Sequence, residues 1–174
     1  ALSQGVQSLV RAQTDVIVVP CNLAHCYFQE IIQAAGNVPV LHIAESAVRQ
    51  LPATVQKVAV LATEPVMDAG FWQEKILATG REVSDSAELR SLVTILIRLI
   101  KENGFADPQV RSCWQAVLSH PTVCQADAVL IACTDISPLI PPEPGRPLFI
   151  DTASNLAESA IRYYTQLTVA QGTR

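Results

Sequence analysis

The sequence predicts an α/β fold built on parallel strands, and three observations carry that prediction. Short apolar runs rich in β-branched residues recur along the 174 residues. Each ends in a polar break, as strands buried on both faces do. The stretches between them place apolar residues at helical spacing. Apolar residues make up 49% of the chain and charged residues 16%. That composition buries a sizeable core and excludes wholesale disorder. Alternating strands and helices imply a parallel sheet.

Leu2 to Gln13 sets Leu2, Val6, Leu9 and Val10 at helical spacing. Val16-Ile17-Val18-Val19 reads as a strand, broken by Pro20-Cys21-Asn22. Val38 to Ile43 is a second strand, followed by Ala44-Glu45-Ser46. Val58 to Leu61 is a third, followed by Ala62-Thr63-Glu64-Pro65. Asp68 to Thr79 is expected to be one helix, carrying Phe71, Trp72, Ile76 and Leu77. Ser86 to Asn103 is the longest helical segment, with Asn103-Gly104 as its stop signal. Ala128 to Ala132 is a strand that leads into Cys133-Thr134-Asp135. Pro138 to Pro147, including Pro141-Pro142-Glu143-Pro144-Gly145, reads as a loop crossing between two lobes. Leu148 to Ile150 is a strand. Asp151 then caps the closing helix, Ala153 to Leu167.

Several function classes have no support. The net charge is −4 and no block of Lys or Arg occurs, which argues against nucleic acid or an anionic membrane as partner. Leu92 to Ile100 is interrupted by Arg98 and is too short to span a bilayer. Ala1 to Gly5 lacks the form of a secretory signal. Five irregularly spaced cysteines do not read as a disulfide framework, so free thiols in a reducing, cytoplasmic setting are expected. The glycines form neither a dinucleotide fingerprint nor a P-loop. No Gly-x-Ser-x-Gly elbow occurs. Lys57, Lys75 and Lys101 have no evident cofactor setting. No cofactor is therefore expected, pyridoxal phosphate included.

Chemistry concentrates where strands end. In an open parallel sheet, ligands gather outside the carboxyl ends of the strands. Cys21 and Cys133 stand there, each followed by hydrogen-bonding residues: Asn22 after one, Thr134 and Asp135 after the other. Each is expected to precede a helix start, whose free N–H groups lower a thiol pKa and hold a carboxylate. Cys26, Cys113 and Cys124 lack that setting and read as packing residues. His25, four residues after Cys21, positions a thiolate or substrate, or else makes a hydrogen bond at a helix start. Cys21, His25 and Cys26 match no common zinc spacing, so no metal is expected. His42 and His120 read as structural.

Val18-Val19-Pro20-Cys21-Asn22-Leu23-Ala24-His25 resembles the Pro-Cys-Asn-Thr-Ala-His segment of the aspartate/glutamate racemase family. Ile131-Ala132-Cys133-Thr134-Asp135 resembles that family's Gly-Cys-Thr-Glu motif. Leu61-Ala62-Thr63 with Gly70-Phe71-Trp72, and Pro147 to Ala153, resemble further segments in the same order. The resemblance implies two α/β lobes with parallel sheets flanked by helices and an active-site cleft between them. It divides the chain into a first lobe, 1–45 plus 148–174, and a second, 46–147. The first lobe lacks the Gly-rich strand and βα unit with which family members open, and the chain is expected to be a fragment or a trimmed relative. A separate chain or a second copy would cover the exposed first lobe, and a homodimer is expected.

The implied activity is pyridoxal-independent racemisation of aspartate or glutamate. One base cannot reach both faces of Cα, so Cys21 and Cys133 act as an opposed thiol and thiolate. Asn22, Thr63 and Thr134 hold the α-carboxylate as charge builds there. Four positions depart from the pattern. Leu23 and Val66 each replace a Thr, Asp135 replaces a Glu, and Arg90 stands where a Lys pairs with the distal carboxylate. Two alternatives remain open at this point: decarboxylation or cis/trans isomerisation of small diacids, and a silent racemase-like binding module.

Overall fold

A computed structural model describes residues 1–141 and 145–172. The chain runs through α1 (Leu2–Arg11), β1 (Ile17–Val18), α2 (Phe28–Ala35), β2 (Val40–Leu41), α3 (Ile43–Val48) and β3 (Lys57–Leu61). It continues through α4 (Glu64–Asp68), α5 (Phe71–Leu77), β4 (Glu82–Ser84), α6 (Ala87–Asn103), α7 (Pro108–Leu118) and α8 (Pro121–Cys124). It closes with β5 (Ala128–Ile131), β6 (Leu148–Asp151) and α9 (Thr152–Gly172). Short 3-10 turns occupy Leu23–Tyr27 and Ser137–Leu139.

The larger sheet has four strands in the order β4-β3-β5-β6, all parallel. Its centre is β3 and β5, apolar at nearly every position because helices cover both faces. Alternation divides their side chains. Val58, Val60 and Leu130 point to one side, where Ile43, Trp72, Ile76 and Leu156 pack. Ala59, Leu61, Val129 and Ile131 point to the other, against Leu89, Val93, Leu96, Trp114 and Val117. The Asp127 carboxylate accepts the N–H groups of Gln56 and Lys57 at 2.9 Å each, locking the entry to β3 beside β5. These bonds hold its carboxyl below the usual range.

The smaller sheet, among the described residues, is the parallel pair β1-β2. One face packs on α1 and α2 through Val6, Ile17, Ile31 and Ala35. Val18 and Leu41 reach instead into the core of the larger sheet. The two sheets therefore share a seam of apolar contact.

Two expectations need correction. The segment Asp68 to Thr79 is split: Gly70, at φ +75°, sits between α4 and α5. A left-handed residue cannot continue a right-handed helix, and Gly takes that conformation without a Cβ penalty. Gly104, at φ +78°, closes α6 where Asn103-Gly104 predicted a stop. The strand at Leu148 is hydrogen-bonded to β5 and belongs to the larger sheet. α9 then packs on α3, β1 and β2. The helix starts expected after Cys21 and Cys133 are the two 3-10 turns, too short to sum a large dipole. In the Pro138 to Pro147 loop, residues 142–144 lie outside the described residues. No helix among the described residues is long and apolar enough to cross a membrane.

Candidate active site

Cys21 follows β1 by three residues and is exposed; Cys133 follows β5 by two and is half-buried. Both lie past the carboxyl ends of their strands, where a parallel sheet leaves its last groups free for ligands. The Cys133 thiol donates to Asp135 Oδ2 at 3.6 Å, and Lys101 Nζ, from the end of α6, lies 3.1 Å from that same oxygen. Burial pushes the Cys133 thiol up, the Asp135 backbone N–H lowers it, the Asp135 carboxylate raises it, and Lys101 lowers it slightly. Lys101 is itself raised, first by its hydrogen bond to Asp135 and also by negative charge on Cys133 and Cys21.

The turn after Cys21 is pinned from two directions. His25 is 3% exposed. Its Nε2 accepts the Ile43 N–H at 3.1 Å, so the proton is on Nδ1, which donates to the Cys21 carbonyl at 2.9 Å. Burial lowers its pKa and keeps the ring neutral. His25 is a staple between the thiol turn and the start of α3, and both its nitrogens are used. The ring stacks on Phe28 and meets His42 edge-on. On the other side, Asn22 is 4% exposed. Its Oδ1 accepts the Trp72 Nε1–H at 3.2 Å, and its Nδ2 donates to Thr152 Oγ1 at 3.3 Å. Thr152 Oγ1 donates in turn to the Ile131 carbonyl at 2.8 Å.

The other expected site residues fall as follows. Thr63 ends the loop after β3; its hydroxyl is shielded and has no protein partner. Thr134 is exposed beside Cys133. Leu23 is 49% exposed on the 3-10 turn. Val66 is buried in the main core, a packing role that a Thr would fill less well. Arg90 does not stand free. Its guanidinium forks onto the Asp85 carboxylate and bonds Asp68 Oδ1 at 2.9 Å. Two carboxylates, Asp85 and Asp68, are therefore its partners. Sequence reasoning missed Lys101, Trp72 and Thr152. Concave surfaces of about 460 and 420 Å³ lie at α3–α9 and around His25 and Phe71, and neither is lined by Cys21 or Cys133. Among the described residues, no three His, Cys, Asp or Glu side chains converge on a metal position.

Parallel sheets flanked by helices thus each carry a cysteine past a strand end. The chain belongs to the Asp/Glu/Hydantoin racemase family, whose model matches residues 1–160. It is 31% identical over 164 residues to the broad-specificity amino-acid racemase RacX of Bacillus subtilis, covering 94% of this chain and 71% of RacX. Against a crystal structure of a Yersinia pestis protein proposed to be an Asp/Glu racemase, the TM-score is 0.76 at 27% identity, over 93% of this chain and 71% of that one. The aspartate racemase of Picrophilus torridus shares the fold, with TM-score 0.75 at 21% identity over 93% and 67% of the two chains.

Proposed function

We propose that this chain racemises small amino acids by proton transfer between two thiols, Cys21 on one face of Cα and Cys133 on the other. One observation carries the reading. The hydrogen-bond chain from Asn22 through Thr152 to the Ile131 carbonyl ties the residue after Cys21 to the strand end two residues before Cys133. Membership in the racemase family supports it.

In each turnover a thiolate takes the Cα proton, and the C–H electron pair stays on the substrate, delocalised into its carboxylate. The opposite thiol delivers its proton to the other face. The two sulfurs have then exchanged protonation states, and turnover in the reverse direction restores them. The raised pKa of Cys133 suits it to enter as the protonated partner. Thr63 and Thr134 serve as hydroxyl donors to the α-carboxylate, the Thr63 hydroxyl being shielded and unpartnered. Lys101, paired with the Asp135 carboxylate to which the Cys133 thiol donates, supplies positive charge at the site.

Aspartate and glutamate are the first substrates to test. The breadth of RacX and the commitment of Arg90 to Asp85 and Asp68 extend the panel to neutral and basic amino acids. Incubation of each enantiomer in heavy water should replace its α-proton with deuterium and yield the mirror form. Cys21→Ala and Cys133→Ala should each lower racemisation by about 10³-fold, within the range for losing a general acid or base. Wild-type rates in either variant would reject the assignment.

A further inference from the structure

The Asn22 side chain joins the turn carrying Cys21 to two other elements. An asparagine beside a reactive cysteine invites assignment as a substrate ligand. Here its amide is buried and bonded at both ends, to Trp72 from α5 and to Thr152 at the start of α9. Thr152 is 1% exposed and its hydroxyl is used twice, accepting from Asn22 and donating to Ile131. Ile131 is the last residue of β5 and pairs in register with Asp151. Its carbonyl lies where the β5-β6 ladder stops, and a side chain takes it up. Four parts of the molecule meet at this point: the turn carrying Cys21, the strand leading to Cys133, the first residue of α9, and the indole of α5.

We infer that Thr152 and Asn22 form a spacer whose hydrogen bonds set the span between the Cys21 and Cys133 sulfurs, which makes both positioning residues. The physical reason is the tolerance of proton transfer. Both sulfurs must reach one tetrahedral carbon from opposite sides, and a shift of about 1 Å in such a geometry costs up to about a hundredfold in rate. The Cys21 turn belongs to the smaller sheet, whose own core is only Val6, Ile17, Ile31 and Ala35. A buried hydroxyl between an amide and a carbonyl fixes it further, because leaving any of these groups unpaired is costly.

The inference rests on the two-thiol reading, so the test separates them. Thr152→Val keeps shape and removes the hydroxyl; Thr152→Ser keeps the hydroxyl and removes the methyl. In Thr152→Val, kcat for α-proton exchange should fall about tenfold to a hundredfold with KM changed less than about threefold. Thr152→Ser should return kcat to within about threefold of wild type. Circular dichroism and thermal melting establish that each variant is folded. A second readout needs no turnover. In a Cys26→Ser background, a bis-alkylating reagent long enough to span a substrate-sized gap should bridge Cys21 and Cys133, and bridging relative to single alkylation should drop in Thr152→Val and recover in Thr152→Ser.

A folded Thr152→Val enzyme with wild-type kcat and wild-type bridging would overturn the spacer. So would a Thr152→Ser enzyme as impaired as Thr152→Val, which would assign the effect to packing of the methyl group. A rise in KM alone would also overturn it, by making the hydroxyl a substrate contact. If Cys21→Ala and Cys133→Ala exchange at wild-type rates while bridging still responds to Thr152, the two-thiol chemistry fails and the spacer stands.

Discussion

Cys133 and Cys21 are held by different means. Cys133 follows β5, a central strand whose residues Ala128 to Ile131 are all buried between two large apolar clusters. Cys21 follows β1, two residues long, in a sheet whose own core is Val6, Ile17, Ile31 and Ala35. The first thiol inherits its position from the main core of the molecule. The second depends on side-chain hydrogen bonds at His25 and Asn22, which reach across to α3 and α9. Polar staples thus tie the thin layer that carries Cys21 to the thick one.

Core truncations should expose that difference most strongly. Leu130→Ala should destabilise the whole molecule by about 4 kcal/mol, read as a shift of the global denaturation midpoint. Ile31→Ala should cost about 3 kcal/mol, but in the smaller layer. Amide hydrogen exchange should then quicken in β1, β2 and α2 while β3 and β5 stay protected. Equal loss of protection in both layers would show that they unfold as one unit.

Acid should act next, and on the staple side. His42 caps α3 by accepting the Ala44 N–H, and its pKa is pushed down to about 4, by burial first and by neighbouring His25 second. Glu45 raises it and Lys75 lowers it. A histidine with a depressed folded pKa stays neutral while the unfolded chain takes up a proton. Stability therefore falls as pH drops from about 6.5 towards 4, by about 2 kcal/mol. His25, also lowered by burial, acts in the same direction. Denaturation midpoints across this window should slope less in His42→Asn, which keeps a cap acceptor. An unchanged slope would contradict this account.

Smaller shifts should appear on the Cys133 side. Asp135→Asn removes a negative charge and should lower the Cys133 pKa; Lys101→Met removes a positive one and should raise it. Alkylation of the Cys133 peptide against pH, followed by mass spectrometry, reads both. Movement of the two variants in the same direction would refute the electrostatic arrangement.

Much of the larger sheet was legible because its strands are continuous apolar runs, and Gly104 marks the end of α6 as Asn-Gly suggests. The strand-end position of both thiols followed from those runs. The three-residue edge strand β4 was missed: Glu-Val-Ser carries no apolar pattern. The break at Gly70 was missed because the flanking residues keep helical spacing on either side. The partners of Arg90 and the spacer at Thr152 were illegible for a different reason. Asp68 lies 22 positions from Arg90, and Asn22 lies 130 from Thr152. Only the fold brings such groups within a hydrogen bond, and no local pattern announces them.

The central claim is that one substrate sits between two thiols of opposite protonation. Early in turnover of a single enantiomer in heavy water, the α-deuterium content of recovered substrate and of product tests it most directly. The account predicts deuterium in the product and almost none in the substrate, because one sulfur takes the proton and the other supplies the deuteron. Equal labelling of substrate and product from the outset, persisting in Cys133→Ala, would mean that a single group does both and would contradict it.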